Sequence, residues 1–166
     1  MLKQRQMIPP VTARTASGRV VQAWDYKQKS SLLIAFLHAN CAECEAFFVR
    51  LTGAAAQLAE LEATALVVLP EPPPARLNEG LPPHVVLAAD VSGRSQRAFL
   101  GKEAQDTSRR PGVTSVGVFV TDRFGELLAL WCGGHDALPG LPDTFGWLHQ
   151  AQIACEECGA PHWPVD

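Results

Sequence analysis

The stretch Ser31-Leu32-Leu33-Ile34-Ala35-Phe36-Leu37 carries almost no polar interruption. A strand that alternates this little is one covered on both faces, so the run predicts a central strand of a sheet. Behind it, Phe47, Leu51, Ala54, Leu58 and Leu61 recur at spacings of four, three, four and three. That is one face of an α-helix, reaching to about Glu62. Ala65-Leu66-Val67-Val68-Leu69 then reads as a second buried strand. Strand, helix and strand in this order imply a right-handed parallel crossover.

The flanks extend the pattern. Residues 1–10, ending in Pro9-Pro10, read as a loose arm. Val11-Thr12-Ala13 and Arg19-Val20-Val21-Gln22-Ala23 flank Ser17-Gly18 and predict a short hairpin, followed by a turn over Trp24 to Lys27. Pro70 to Pro83 contains Pro72-Pro73-Pro74 and predicts a surface loop without helix or sheet, a spacer or a polyproline docking segment. Val85 to Ala88 reads as a strand and Asp90-Val91-Ser92-Gly93 as a turn. Gln96 to Leu100 reads as a short helix stopped by Gly101. Residues 102–111 read as polar loop. Val116 to Val120 and Glu126 to Trp131 predict an antiparallel hairpin, its second strand broken by Gly133-Gly134. Asp143 is the candidate cap of a last helix carrying Phe145, Trp147, Leu148 and Ala151, with Trp147 and Trp163 read as packing residues of core and tail. No internal repeat is visible. The expected architecture is α/β: a central mixed sheet with helices on both faces and an N-terminal β-hairpin extension. The expected division is an arm over 1–10, one domain over 11–154 and a C-terminal tail over 155–166.

Composition narrows the class. A chain of 166 residues, 47% hydrophobic and 19% charged, suits one globular domain with a core and not a disordered segment. Seventeen acids against 14 bases give a net charge of -3. With no basic stripe, nucleic acid and anionic membrane surfaces are not expected as partners. Met1 to Met7 lacks a following apolar segment of signal-peptide type, and no apolar run is long enough to span a bilayer. The expected compartment is the cytoplasm, where paired cysteines are more often catalytic or metal-binding than structural.

Candidate chemistry sits in the cysteines. Of the five, Cys41, Cys44, Cys155 and Cys158 fall in two C-x-x-C pairs, and Cys132 stands apart. Cys41-Ala42-Glu43-Cys44 lies where the buried strand meets the helix. Asn40 reads as the N-cap, with Glu43 three residues on completing a capping box. Cys41 would then occupy the first helical position, exposed, with free backbone N–H groups favouring its thiolate. Glu43 and Glu45 oppose that by like charge, and a protonated His38 would favour it. Cys44, one turn on and more buried, would be the resolving thiol. A weakly stabilised thiolate favours the disulfide, so the couple is expected to be comparatively reducing. Metal binding, or a silent pair of small helix residues, stays open beside the redox reading.

The second pair, Cys155-Glu156-Glu157-Cys158-Gly159 with His162, supplies three of the four ligands a zinc site needs. It could equally relay electrons to the first pair by thiol exchange, or be exposed thiols on a tail. Cys132 beside Trp131 reads as a buried small residue. His135 reads as a surface-loop histidine that could line the site's rim, and Arg109 and Arg110 as a solvated basic pair.

Taken in order, these segments resemble the thioredoxin-like superfamily, in its redoxin branch of alkyl hydroperoxide reductase and thiol-specific antioxidant relatives. Phe36 to Cys44 falls in step with that family's strand and C-x-x-C segment. Gly18-Arg19-Val20-Val21, Asp25-Tyr26-Lys27, Asp90-Val91-Ser92-Gly93 with Ala98-Phe99-Leu100-Gly101, and Phe119 to Glu126 resemble its other segments, over roughly residues 9–150. The resemblance implies a thioredoxin-like fold and thiol–disulfide exchange through Cys41 and Cys44, supported by Asn40, Glu43, His38 and Thr114. It implies no required cofactor, protein or small-molecule thiols and disulfides as partners, and leaves a homodimer open. Where peroxidase members carry a Pro and a Thr or Ser ahead of the reactive Cys, this chain has Ile34 and His38. Where thioredoxins carry a cis-proline it has Thr114, as peroxidase relatives also lack that proline. Arg109 or Arg110 stands where those relatives hold an arginine that steadies the thiolate. Two alternatives follow: a thiol peroxidase with Cys41 peroxidatic, and a non-catalytic zinc-binding interaction module using the tail cysteines.

Overall fold

The computed structural model describes residues 2–101 and 115–154. Its strands are β1 (Thr12–Thr15), β2 (Val20–Gln22), β3 (Ser31–Phe36), β4 (Ala63–Leu69), β5 (Val85–Ala89), β6 (Val116–Thr121) and β7 (Leu127–Gly133). Its α-helices are α1 (Ala42–Gly53), α2 (Ala55–Glu60), α3 (Ala75–Asn78), α4 (Arg94–Leu100) and α5 (Leu141–Ile153). The strands form one sheet in the order β2-β1-β5-β4-β3-β6-β7. β3 pairs in parallel with β4, from Ser31 opposite Ala63 to Phe36 opposite Val68, and antiparallel with β6. The mixed sheet and the N-terminal hairpin expected from the sequence are therefore present.

β3 is buried along its whole length because both faces of the sheet are covered. Successive side chains of a strand point to opposite faces. Leu33 and Ala35 accordingly join Phe47, Leu51, Leu58, Phe145 and Leu148 in one apolar layer under α1, α2 and α5. Leu32, Ile34 and Phe36 join Leu66, Phe119 and the α4 residue Phe99 in the other. In that second layer three rings meet: Phe36 and Phe99 at 5.1 Å, Phe99 and Phe119 edge-to-face at 4.8 Å, Phe36 and Phe119 at 6.0 Å.

This ring cluster explains a glycine in an otherwise bulky strand. Gly117 of β6 lies opposite Phe36. A Cβ there would fall 2.5 Å from Leu100 Cδ2 and 2.8 Å from Phe119 Cε2. Gly117→Ala is therefore expected to overpack the layer and cost about 1–3 kcal/mol, read as a lower denaturation midpoint.

Several expectations are corrected. The single long helix is two: at Ala54 the backbone turns to φ -101, ψ 16, and the N–H bonds back to Arg50 and Leu51. Gly53, a weak helix former, precedes the break. Leu58 remains fully buried, so the apolar stripe continues across it. The proline-rich loop contains α3, entered from Pro74, whose extended conformation (φ -63, ψ 147) leads directly into the first turn. The last helix begins after Gly140, and Asp143 lies in its first turn without capping it. Pro142, suited to a first turn, moves the start forward. Trp147 is 38% exposed, facing away from buried Phe145 and Leu148. The arm is not loose. Arg5 N–H donates to Leu127 O and Leu127 N–H to Gln6 O, each at 2.8 Å, and Arg5 pairs with Glu126 at 3.0 Å. It satisfies groups that the start of edge strand β7 would otherwise leave open. Cys132 is exposed and not buried, because edge strand β7 is covered less completely than the strands inside the sheet. Among the described residues no helix is long and apolar enough to cross a membrane.

Candidate active site

The segment from Leu37 to Cys41 carries the chain from the end of β3 into α1. Cys41, with extended φ -123 and ψ 120, is itself the N-cap: its Sγ accepts a hydrogen bond from Cys44 N–H at 3.2 Å. Its carbonyl accepts from Glu45 N–H at 2.9 Å. The expected Asn40 cap and Glu43 capping box are thus not formed. The extended residue falls one position later than expected, and a sulfur takes the place of the usual cap oxygen. Asn40 instead lines the cleft beside Cys41. Glu43 turns toward the cysteine, and the Cys41 thiol donates to Glu43 Oε2 at 3.4 Å. A hydrogen bond from its own backbone N–H, and then this thiol, hold the Glu43 carboxyl below its ordinary pKa.

Cys41 is not the exposed nucleophile expected from sequence. It is 6% exposed, and Cys44 is 1% exposed. Cys41 is buried because the start of α1 packs onto the first apolar layer. It nonetheless forms part of the wall of a cleft of about 190 Å³, with His38, Asn40, Leu69, Glu71 and His135. A small reactant or an extended loop therefore has a path to the sulfur. Both thiols are free. Burial, and next a hydrogen bond with Cys41, push the Cys44 thiol up from 9.0 to about 12. The resting Cys44 is a thiol, as a waiting resolving group should be.

His135 is the residue the sequence undervalued. It lies in a 3-10 turn, His135–Ala137, just after β7. Its Nδ1 is 3.2 Å from Cys41 Sγ and 3.8 Å from Glu43 Oε2. The ligand atoms of Cys41, Cys44 and His135 all lie within 4.8 Å of one another, close enough to hold a metal ion. The signal was Gly133-Gly134. A Cβ on Gly133 would fall 2.9 Å from Ala137 Cβ, so the chain can double back and bring His135 to the cleft only with glycine there.

His38 is close by but is not the cation that would favour the Cys41 thiolate. Its Nε2–H donates to Ser115 O at 3.2 Å, tying the loop before Cys41 to the start of β6. Burial lowers its pKa from the usual 6.5; the Ser115 bond opposes this, and His135 reinforces it. His38 is therefore neutral near pH 7. The unfolded chain takes up this proton more readily than the folded one. Stability from neutral His38 is present above about pH 6.5 and is lost as pH falls through the lower folded value. A denaturation series from pH 7.5 to 5 is expected to show this decline, and His38→Asn to flatten it. Thr114, Arg109, Arg110, Trp163, and the tail residues Cys155, Cys158 and His162, lie outside the described residues.

A mixed sheet with helices on both faces, and a cysteine pair at the start of the helix after β3, define a thioredoxin-like fold. Solved structures show the same fold. Peroxidoxin BcpB from Mycobacterium tuberculosis matches with a TM-score of 0.72 at 15% identity, over 93% of this chain and 100% of that one. A protein assigned as the thiol:disulfide interchange protein DsbE of Chlorobium tepidum matches at 0.67 and 17%, over 93% and 100%. BsSco, a member of the Sco family of cytochrome c oxidase assembly proteins, matches at 0.63 and 12%, over 89% and 94%. No family model and no curated protein matches the sequence.

Proposed function

We propose that this chain is a thiol–disulfide oxidoreductase working through Cys41 and Cys44. The observation that carries the reading is the pair of free thiols at the N-terminus of α1, one of them in a cleft wall 3.2 Å from a histidine nitrogen. Cys41 attacks a disulfide of a protein or small-molecule partner while His135 Nδ1 takes its proton. The partner's S–S bond breaks, its leaving sulfur is protonated, and Cys41 is left in a mixed disulfide. That step removes the Cys41 hydrogen bond and charge that help hold Cys44 in its thiol form. Cys44 then attacks Cys41, the intramolecular disulfide forms, and the partner leaves as a dithiol, having gained two electrons.

Reduction of insulin disulfides, with dithiothreitol as electron source, tests the activity. His135→Ala is expected to slow it about 10²-fold at neutral pH, the lower end of general acid–base contributions. A rate within about twofold of the parent would remove the histidine from this mechanism.

A second reading is favoured by the likeness to BcpB. In it, Cys41 attacks a hydroperoxide, yielding an alcohol or water and a sulfenic acid, and Cys44 condenses with that acid to release water. Fast, saturable peroxide consumption without insulin reduction would select this reading.

A further inference from the structure

We propose that the reduced site is also a Zn(II) site, with Cys41, Cys44 and His135 as ligands and Glu43 as the fourth donor. A zinc tetrahedron with ordinary Zn–S, Zn–N and Zn–O lengths places its ligand atoms about 3.4–3.8 Å apart. Three donors already approach that triangle. Cys41 Sγ is 3.2 Å from His135 Nδ1 and 3.4 Å from Glu43 Oε2, and those two are 3.8 Å apart. Cys44 Sγ lies within 4.8 Å of both Cys41 Sγ and His135 Nδ1 and would close on them by about 1 Å, while Glu43 Oε2, outside that three-residue group, would swing further inward to become the fourth donor.

The donor types select the ion. Two thiolates, an imidazole and a carboxylate are the mixture Zn(II) accepts. A purely soft ion such as Cu(I) gains little from the carboxylate, and Mg(II) or Ca(II) little from the sulfurs. Placement also suits a closed site. The sulfurs are buried, while Glu43 stands at the surface end of the cluster, where an ion can enter.

The site has a consequence for the redox couple, one that rests on the proposed dithiol chemistry. The ion and the disulfide compete for the same sulfurs. When a partner disulfide RSSR oxidises the zinc-bound pair, the Cys41–Cys44 bond forms, the RSSR bond breaks, two RS⁻ leave and Zn(II) is released. Two electrons pass from the cysteines to RSSR, and no net proton is needed. Zinc would guard the reduced pair against adventitious oxidation and be expelled in proportion to disulfide formed.

The test uses the full chain, reduced, carrying Cys155→Ser and Cys158→Ser so that the tail thiols cannot contribute. Zn(II) is titrated against a chromophoric chelator, and Co(II) is substituted as a spectroscopic probe. One Zn(II) per chain is expected, with tetrahedral cobalt bands and thiolate-to-cobalt charge transfer. His135→Ala and Glu43→Gln, at partly or fully exposed positions, are expected to weaken binding by about tenfold or more. Oxidised glutathione is expected to release the ion in step with the intramolecular disulfide. Absence of stoichiometric zinc, retention of full affinity in Cys41→Ser, or octahedral cobalt without charge transfer would each overturn the proposal. If zinc binds but insulin is not reduced, the oxidoreductase reading fails and the metal site stands; the converse removes only the metal site.

Discussion

Cys44→Ser is expected to accumulate as a mixed disulfide through Cys41, while Cys41→Ser loses disulfide reduction by at least about 10³-fold, the scale seen when a covalent nucleophile is removed. The asymmetry follows from position. Cys41 Sγ forms part of the cleft wall and accepts the Cys44 N–H bond. Cys44 is 1% exposed, and its thiol is pushed up to about 12. Only the first sulfur can meet a partner, and only the second can release it. With serine at position 44 the release step is missing, so the adduct persists and can be isolated under non-reducing conditions. Cys41→Ser keeps the cap position filled, since a serine oxygen can accept from the Cys44 N–H. Its loss of activity would therefore report chemistry and not unfolding. Trapping through Cys44 in Cys41→Ser would reverse the assignment of the two thiols.

Phe119→Ala is expected to give the largest loss of stability, about 3–5 kcal/mol. Phe119 is fully buried in β6, between β3 and β7, and its ring meets those of both Phe36 and Phe99. Truncation removes the ring's transfer energy and two edge-to-face contacts, and it leaves a void between the sheet and α4 that cannot close up. For a chain of this size the fall in Tm should be on the order of 10 °C. Val91→Ala, at a position 72% exposed, serves as control and should stay within about 0.5 kcal/mol. Phe119 belongs to the layer opposite the one containing Cys41 and Cys44. The folded fraction of Phe119→Ala should therefore retain its thiol chemistry. A shift under about 1 kcal/mol would mean that the ring cluster does not hold this second layer together as described.

The parts of this molecule visible in its sequence are those encoded by short-range periodicity. β3 and β4 are buried along their whole length and almost entirely apolar because each is covered on both faces, and the α1–α2 stripe shows the helical period even across the break at Ala54. The cysteine pair was legible because its two members are three residues apart, at a strand-to-helix junction. His135 was not, because it lies 94 residues from Cys41 and reaches it only through the pairing of β3 with β6 and of β6 with β7. Its one local sign was a pair of glycines. The sequence points to Asn40 as the cap because asparagine ranks among the best capping residues and cysteine does not. The backbone at Cys41 overrode that preference. The arm reads as loose in the sequence because its pairing partners, Gly125 to Leu127, are distant along the chain.

In the proposed mechanism Cys41 and Cys44 form one reversible two-electron couple. It is tested most directly by equilibrating the protein against a series of oxidised-to-reduced dithiothreitol ratios, quenching with an alkylating agent, and measuring the masses of the cysteine-containing peptides. The expected result is a single reversible transition in which Cys41 and Cys44 lose their labels together and are recovered joined in one peptide two hydrogens lighter. Labels retained on both cysteines across the whole series, or Cys41 recovered bonded to Cys132, Cys155 or Cys158 instead, would contradict it.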